Sequence, residues 1–223
     1  MTATRGLVLR QFIILMAVGT LTESTPTSEP HPIGVGVTVE ARIFFDKTIN
    51  FSATNENRPF EEFKKIFLEV QKEFRNNKIM VKFVVKSAKA NDSFSVPFVN
   101  MTKAVDGEKT LENVKAFGMA RSAPNNTIFY YFTSYTILKE SGQKHENDQV
   151  PVQLFDIETR RTFCSENVSA AVVYFETATS YDFPARAAAL IFGSTRYTSF
   201  QRTDRQYMNE SFSRCGKHTV TST

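Results

Sequence analysis

Three histidines, His31, His145 and His218, are the first residues to weigh for metal or acid–base chemistry. They stand far apart, and no two have the spacing that sets a pair of imidazoles on one helical face, so no zinc site is expected from them. No Gly-x-Ser-x-Gly elbow is present for a serine nucleophile. Gly34-Val35-Gly36 precedes a strand-like stretch instead of following one, so it is not a dinucleotide fingerprint. Gly107-Glu108-Lys109-Thr110 ends like a phosphate loop but lacks the first glycine, and reads as a turn and helix start. Carboxylates are plentiful, Asp156, Glu158 and Asp182 among them, but nothing in the sequence pairs them, so they are expected to be solvated surface groups. Residue types and spacing therefore offer no complete catalytic set.

Two further residue classes carry covalent chemistry. Cys164 and Cys215 are the only cysteines. In an oxidising compartment they can pair within the chain, closing a loop of about 50 residues and stabilising the fold by roughly 4 kcal/mol in the chain-entropy model. Two free thiols or a bridge to another chain are the alternatives. Six Asn-x-Ser/Thr triplets begin at Asn50, Asn91, Asn100, Asn125, Asn167 and Asn209, none with proline in the middle. With 13 Asn and 41 Ser plus Thr in the chain, chance gives about two or three. Each N-glycosylation site should mark a surface loop or strand edge, because a glycan must stay in water. Asn167, beside Cys164 and an apolar run, is the least favourable of the six.

The start of the chain supports such a compartment. Arg5 and Arg10 precede an apolar run from Phe12 to Leu21, followed by a Pro/Ser/Thr-rich stretch. This is the layout of a secretory signal peptide, and the run is shorter than the roughly 20 residues that span a membrane. The expected organisation is a signal peptide over 1-24, a linker over 25-32, one domain over 33-217 and a flexible tail over 218-223. The protein is expected to be secreted and extracellular, with no membrane insertion and no cofactor.

The elements that must position these residues follow from periodicity. The chain has 223 residues, 41% hydrophobic and 22% charged, which excludes wholesale disorder. Its 21 Phe and no Trp predict a phenylalanine-built core. The formal charge is +4, with Lys and Arg scattered along the sequence, so no nucleic-acid footprint is read. Val35–Phe45 alternates and predicts a strand. Phe60, Phe63, Phe67, Val70 and Phe74 recur at three and four, predicting a helix over Pro59–Phe74. Ile79–Val85 predicts a strand, Phe94–Val99 a short one, and Asp106–Gly107 a turn. Thr110–Ala120 predicts a helix, Ile128–Thr133 and Ala170–Phe175 strands, and Phe183–Phe192 a buried helix stopped by Gly193. Asp46–Asn57 and Lys139–Gln149 read as loops long enough for recognition. Strands alternating with helices predict an α/β layered domain with a mixed, mainly parallel sheet flanked by helices.

This order resembles the catalytic domain of reprolysin-type zinc metalloproteases, the zincin-like proteases of tick saliva in particular. Val37–Phe45, the helix from Phe60 and Lys78–Val85 resemble that family's opening strand, helix and strand. Asp106–Phe117 is similar to its second helix, Thr127–Tyr135 to its next strand, and Thr162-Phe163-Cys164-Ser165 to its cysteine-containing edge segment. The family's zinc motif is His-Glu-x-x-His-x-x-Gly-x-x-His, and the matching segment here is Arg186–Arg196. Gly193 is in place. Arg186, Leu190 and Arg196 occupy the ligand positions and Ala187 the general-base position. Arginine has no lone pair to give a metal, and leucine has no donor atom. The resemblance therefore implies a catalytically degenerate scaffold.

A secreted chain of this length with many sequons and no zinc motif also resembles the immunosuppressant salivary glycoproteins of metastriate ticks. That resemblance implies a non-catalytic protein that binds a host immune-cell or plasma protein and suppresses T-cell proliferation and cytokine output. A secreted carrier that sequesters an amine or lipid is the alternative, and an active metalloprotease a weaker one.

Overall fold

The computed structural model describes residues 30–51, 58–141, 150–177 and 180–216. The expected signal peptide, most of the linker, the tail, His145 and His218 lie outside them, as do parts of both candidate recognition loops.

The first alternating stretch forms β1, Thr38–Phe45. Val39, Ala41, Ile43 and Phe45 are buried on one face, while Glu40, Arg42 and Phe44 take the other, as the two-residue period of a strand requires. The three-and-four pattern forms α1, Arg58–Asn76, which buries Phe63, Ile66, Phe67, Val70 and Phe74. β2 runs over Lys82–Ala90. Gln71 of α1 is buried beside it and accepts a 2.9 Å hydrogen bond from the Phe83 N–H, which satisfies an amide of this edge strand. The short strand expected over Phe94–Val99 is a 3₁₀ turn at Asp92–Phe94, followed by a single bridge from Pro97 to Val105.

β3, Ala104–Asp106, runs directly into α2, Gly107–Met119. Asp106–Gly107 is therefore not a free turn. Asp106 ends the strand and caps the helix, its carboxylate accepting from the Lys109 N–H at 3.0 Å. β4, Thr127–Thr133, is buried along its whole length. β5, Thr136–Lys139, β6, Val152–Leu154, and β7, Asp156–Glu158, are short strands that the pattern did not reveal. β8, Ser169–Tyr174, and α3, Asp182–Phe192, fall where expected. Gly193 ends α3 at φ 108°, a left-handed conformation that favours glycine. α4, Arg202–Arg214, was not anticipated.

Five strands form the main sheet in the order β2-β1-β4-β8-β7, all parallel except the last pair. β3, β5 and β6 form a smaller mixed sheet. The class is thus α/β, with mixed sheets flanked by helices. One core lies between the main sheet and α1, α3 and α4, the other between the sheet and α2. Phenylalanine rings knit the first core together, as in the edge-on contacts of Phe67 with Tyr130 at 4.9 Å and Phe163 with Phe192 at 4.8 Å. No helix among the described residues is long and apolar enough to cross a membrane.

Candidate functional site

Antiparallel pairing to β8 sets the side chains of the edge strand β7. Asp156 lies opposite Val173 and Glu158 opposite Ala171, both members of the core on the α3 side. Two residues apart on one strand, the two carboxylates share that face. Asp156 and Glu158, expected from sequence to be solvated and unpaired, are in fact brought together and largely buried, with Asp156 only 3% exposed. The reason is α3, an alanine-rich helix whose small side chains let it sit close on β7 and β8.

α3 also delivers the cation. Arg186 Nε lies 3.2 Å from Asp156 Oδ1, with the guanidinium edge reaching water. The N–H is not aligned for a hydrogen bond, and neither Asp156 oxygen receives one. Burial, together with the neighbouring Glu158 charge, pushes the Asp156 carboxyl up from 3.8 to about 7, against the pull of Arg186 and Arg160. Burial likewise raises Glu158, which is held by Arg160 Nε at 3.1 Å. Arg186 further lies over the ring of Tyr197, 5.6 Å from its centroid. A carboxyl that titrates near neutrality has the proton affinity of a general acid or base. Asp156 is closed from solvent, however, and its nearest charged partner is the protein's own arginine.

The other positions of the expected zinc segment are equally occupied by structure. Ala187 is fully buried and Leu190 is 5% exposed, both packed in the core. Arg196 lies exposed in the turn after α3, its N–H donating to Ser194 Oγ at 3.0 Å. The residues present do not fit zinc. Two are permanent cations, one of them committed to a carboxylate, and two carry no donor atom. Among the described residues no three His, Cys, Asp or Glu side chains converge on a point that could hold a metal ion.

Cys164 and Cys215 form a disulfide with Cα atoms 5.0 Å apart, joining the loop before β8 to the end of α4. Asn50, Asn100, Asn125, Asn167 and Asn209 are exposed, and Asn91 is half-buried. Asn209 sits within α4 instead of a loop. Asp182 is exposed in the first turn of α3, where the sequence reading put it, away from the buried pair. Of the first candidate recognition loop, Asp46 is buried and structural. Its carboxylate accepts from the Thr48 N–H and hydroxyl and from the Tyr131 hydroxyl.

No protein-family model matches this chain, and no curated protein matches it. Among solved structures, metalloproteinase-II from Bacteroides fragilis is similar at 11% identity with a TM-score of 0.43, over 82% of this chain and 55% of that one. The chain thus spans about half the length of that protein. Likeness at this level assigns no chemistry to the site, and the class stands on the strand order and helices described above.

Proposed function

We propose that this chain is a secreted, N-glycosylated binding protein, non-catalytic, on a reprolysin-like α/β scaffold in whose zinc segment Ala187 and Leu190 are packed in the core and Arg186 is bound to Asp156. Its action is the suppression of host immune responses, T-cell proliferation and cytokine output among them. The observation that carries the non-catalytic part is the commitment of Arg186 to the buried Asp156, at the position where the resembling family has its first zinc ligand. Secretion is supported by the signal-peptide layout, the sequons and the Cys164–Cys215 bridge. The host target is supported by the resemblance to immunosuppressant tick salivary glycoproteins. The carrier alternative gains nothing from an open sheet flanked by helices, which has no barrel interior.

The test uses protein secreted from eukaryotic cells with its glycans intact, added to mitogen-stimulated T cells. Dose-dependent loss of proliferation at unchanged viability, persisting in the presence of a chelator, is expected. Stoichiometric zinc in the purified protein, or suppression abolished by the chelator, overturns the non-catalytic part. Absence of suppression overturns the immune part.

A further inference from the structure

Parallel strands are ordinarily covered on both faces, because the crossover helices that connect them pack there. Here α1 and α3 cover one face of the main sheet. On the other face α2 packs chiefly on β4, β7 and β8, while Phe117 of α2 and Phe94 of the 3₁₀ turn cover Phe44 at the end of β1, which leaves the rest of this face over β1 and β2 open among the described residues. This open part is not apolar. It forms a groove of about 550 Å³ floored by Phe44 and Phe117 and walled by Arg42, Lys86, Lys89 and Arg121.

A β-bulge builds the wall. Phe83 and Val85 of β2 point into the α1 core, so strict alternation would send residues 87 and 89 there too. The register instead slips between Ala41 and Arg42, which pair with Val85 and Ser87, and Lys86 is the extra residue. Beyond the slip it is Ala88 that packs on the core, while Ser87 and Lys89 turn to the open face beside Lys86. From the opposite side Arg121, just past α2, lies over the Phe117 ring at 4.1 Å, and Arg42 lies 5.9 Å from the Phe129 centroid. Glu40 is the one carboxylate of the groove, and it pairs with Lys86 at 3.1 Å. Among the described residues Arg42, Lys89 and Arg121 have no carboxylate partner. Cations far apart in sequence are thus gathered on one sheet face, and the scatter of Lys and Arg along the chain hid the patch.

We infer that this open sheet face is a docking surface for a sulfated polysaccharide chain. The charge excess matches a repeating anion, and the open groove admits a polymer. The preference for a sulfated polysaccharide over a nucleic acid rests on the secretory reading above, whereas the anion-binding face does not. Asn91 lies at the rim, its Oδ1 accepting from the Ser93 N–H and hydroxyl, so a glycan on its Nδ2 would stand at one end of the groove.

The experiment is a titration of the secreted glycoprotein with a size-defined heparin oligosaccharide, its chemically desulfated counterpart and a single-stranded oligonucleotide of matched charge. Binding of the sulfated oligosaccharide is expected to weaken steeply with salt as counterions are released. It should also fall at least tenfold in Arg42→Ala/Lys89→Ala and remain unchanged in Lys64→Ala/Lys72→Ala, which removes the same charge from α1. Asn91→Gln should bind as well or better. Equal loss in the α1 variant, binding of the desulfated sugar, loss of binding in Asn91→Gln, or no binding overturns the proposal. An oligonucleotide that binds as tightly overturns the choice of partner. The T-cell assay does not enter this test, so failure here leaves the immune reading to its own experiment.

Discussion

Arg186 and Asp156 form an ion pair with one end in water and the other in the core. An unfolded aspartate ionises near 3.8, and this one ionises near 7 in the fold. Between those values the folded chain holds a proton that the unfolded chain has released. The stability due to this group therefore falls as pH rises from about 4 to about 7, and changes little above. Asp204 has the opposite sign. Burial disfavours its charge, but hydrogen bonds from Thr195 and Gln201 outweigh burial and hold its carboxyl below the ordinary range. Its contribution is present at neutral pH and lost in acid. Arg186→Ala should cost about 1–3 kcal/mol at pH 8, less than for a fully buried pair because the arginine is partly in water. At pH 5, where Asp156 is protonated with or without its partner, the loss should shrink. Urea denaturation at the two pH values measures both. An equal loss at each would mean that the arginine acts through its packing and not its charge.

At the scale of elements, α2 starts against β5 and β7. A Cβ on Gly107 would lie 2.7 Å from Ile137 Cγ2 and 3.3 Å from Ile157 Cγ2. Gly107→Ala would improve helix propensity by less than about 1 kcal/mol at this first helical position, yet it should destabilise the fold by about 1–3 kcal/mol because Ile137 of β5 must give way to the methyl group. A thermal melt decides the sign, and a raised midpoint would show that Ile137 yields freely. Gly107 also shows where sequence reading ends. It reads as half of a turn, and its role comes from a strand 30 residues onward. β1, α1, β4, β8 and α3 were legible because each carries its own period or an unbroken apolar run. β5, β6 and β7 are three or four residues long, too short to express a period. α4 is largely polar, and only Met208 and Phe212 of its apolar side chains are buried, too few to express a period; the buried Asp204, and Arg205 donating to the carbonyls of His31 and Asn77, add to its hold. The site was half legible. Arg186 stood out through the resembling zinc segment, but its partner Asp156 looked like any surface acid until β7 and α3 were placed together. The bulge at Lys86 left no mark in composition or charge count.

At the scale of the whole molecule, the disulfide ties α4 to the loop before β8 across 51 residues. Its location sets up a contest in time between two modifying reactions. Asn209 lies within α4, six residues before Cys215. A used sequon is expected in an accessible surface loop, so on the proposed secretory reading transfer at Asn209 is expected before α4 coils and the Cys164–Cys215 bridge fixes it. On the proposed secretory reading, oxidase and glycosyltransferase would compete for the same stretch of nascent chain. Asn209 should be glycosylated in only part of the secreted population, and Cys164→Ser/Cys215→Ser should raise its occupancy while leaving Asn50 and Asn100 unchanged. Glycopeptide mass spectrometry reads the outcome, and full occupancy of Asn209 in the disulfide-bonded protein would show that sugar transfer always wins. Partial occupancy would instead mean that the redox state of the compartment sets the glycoform as well as the stability, so that the proportions of the two forms record how quickly the bridge was closed.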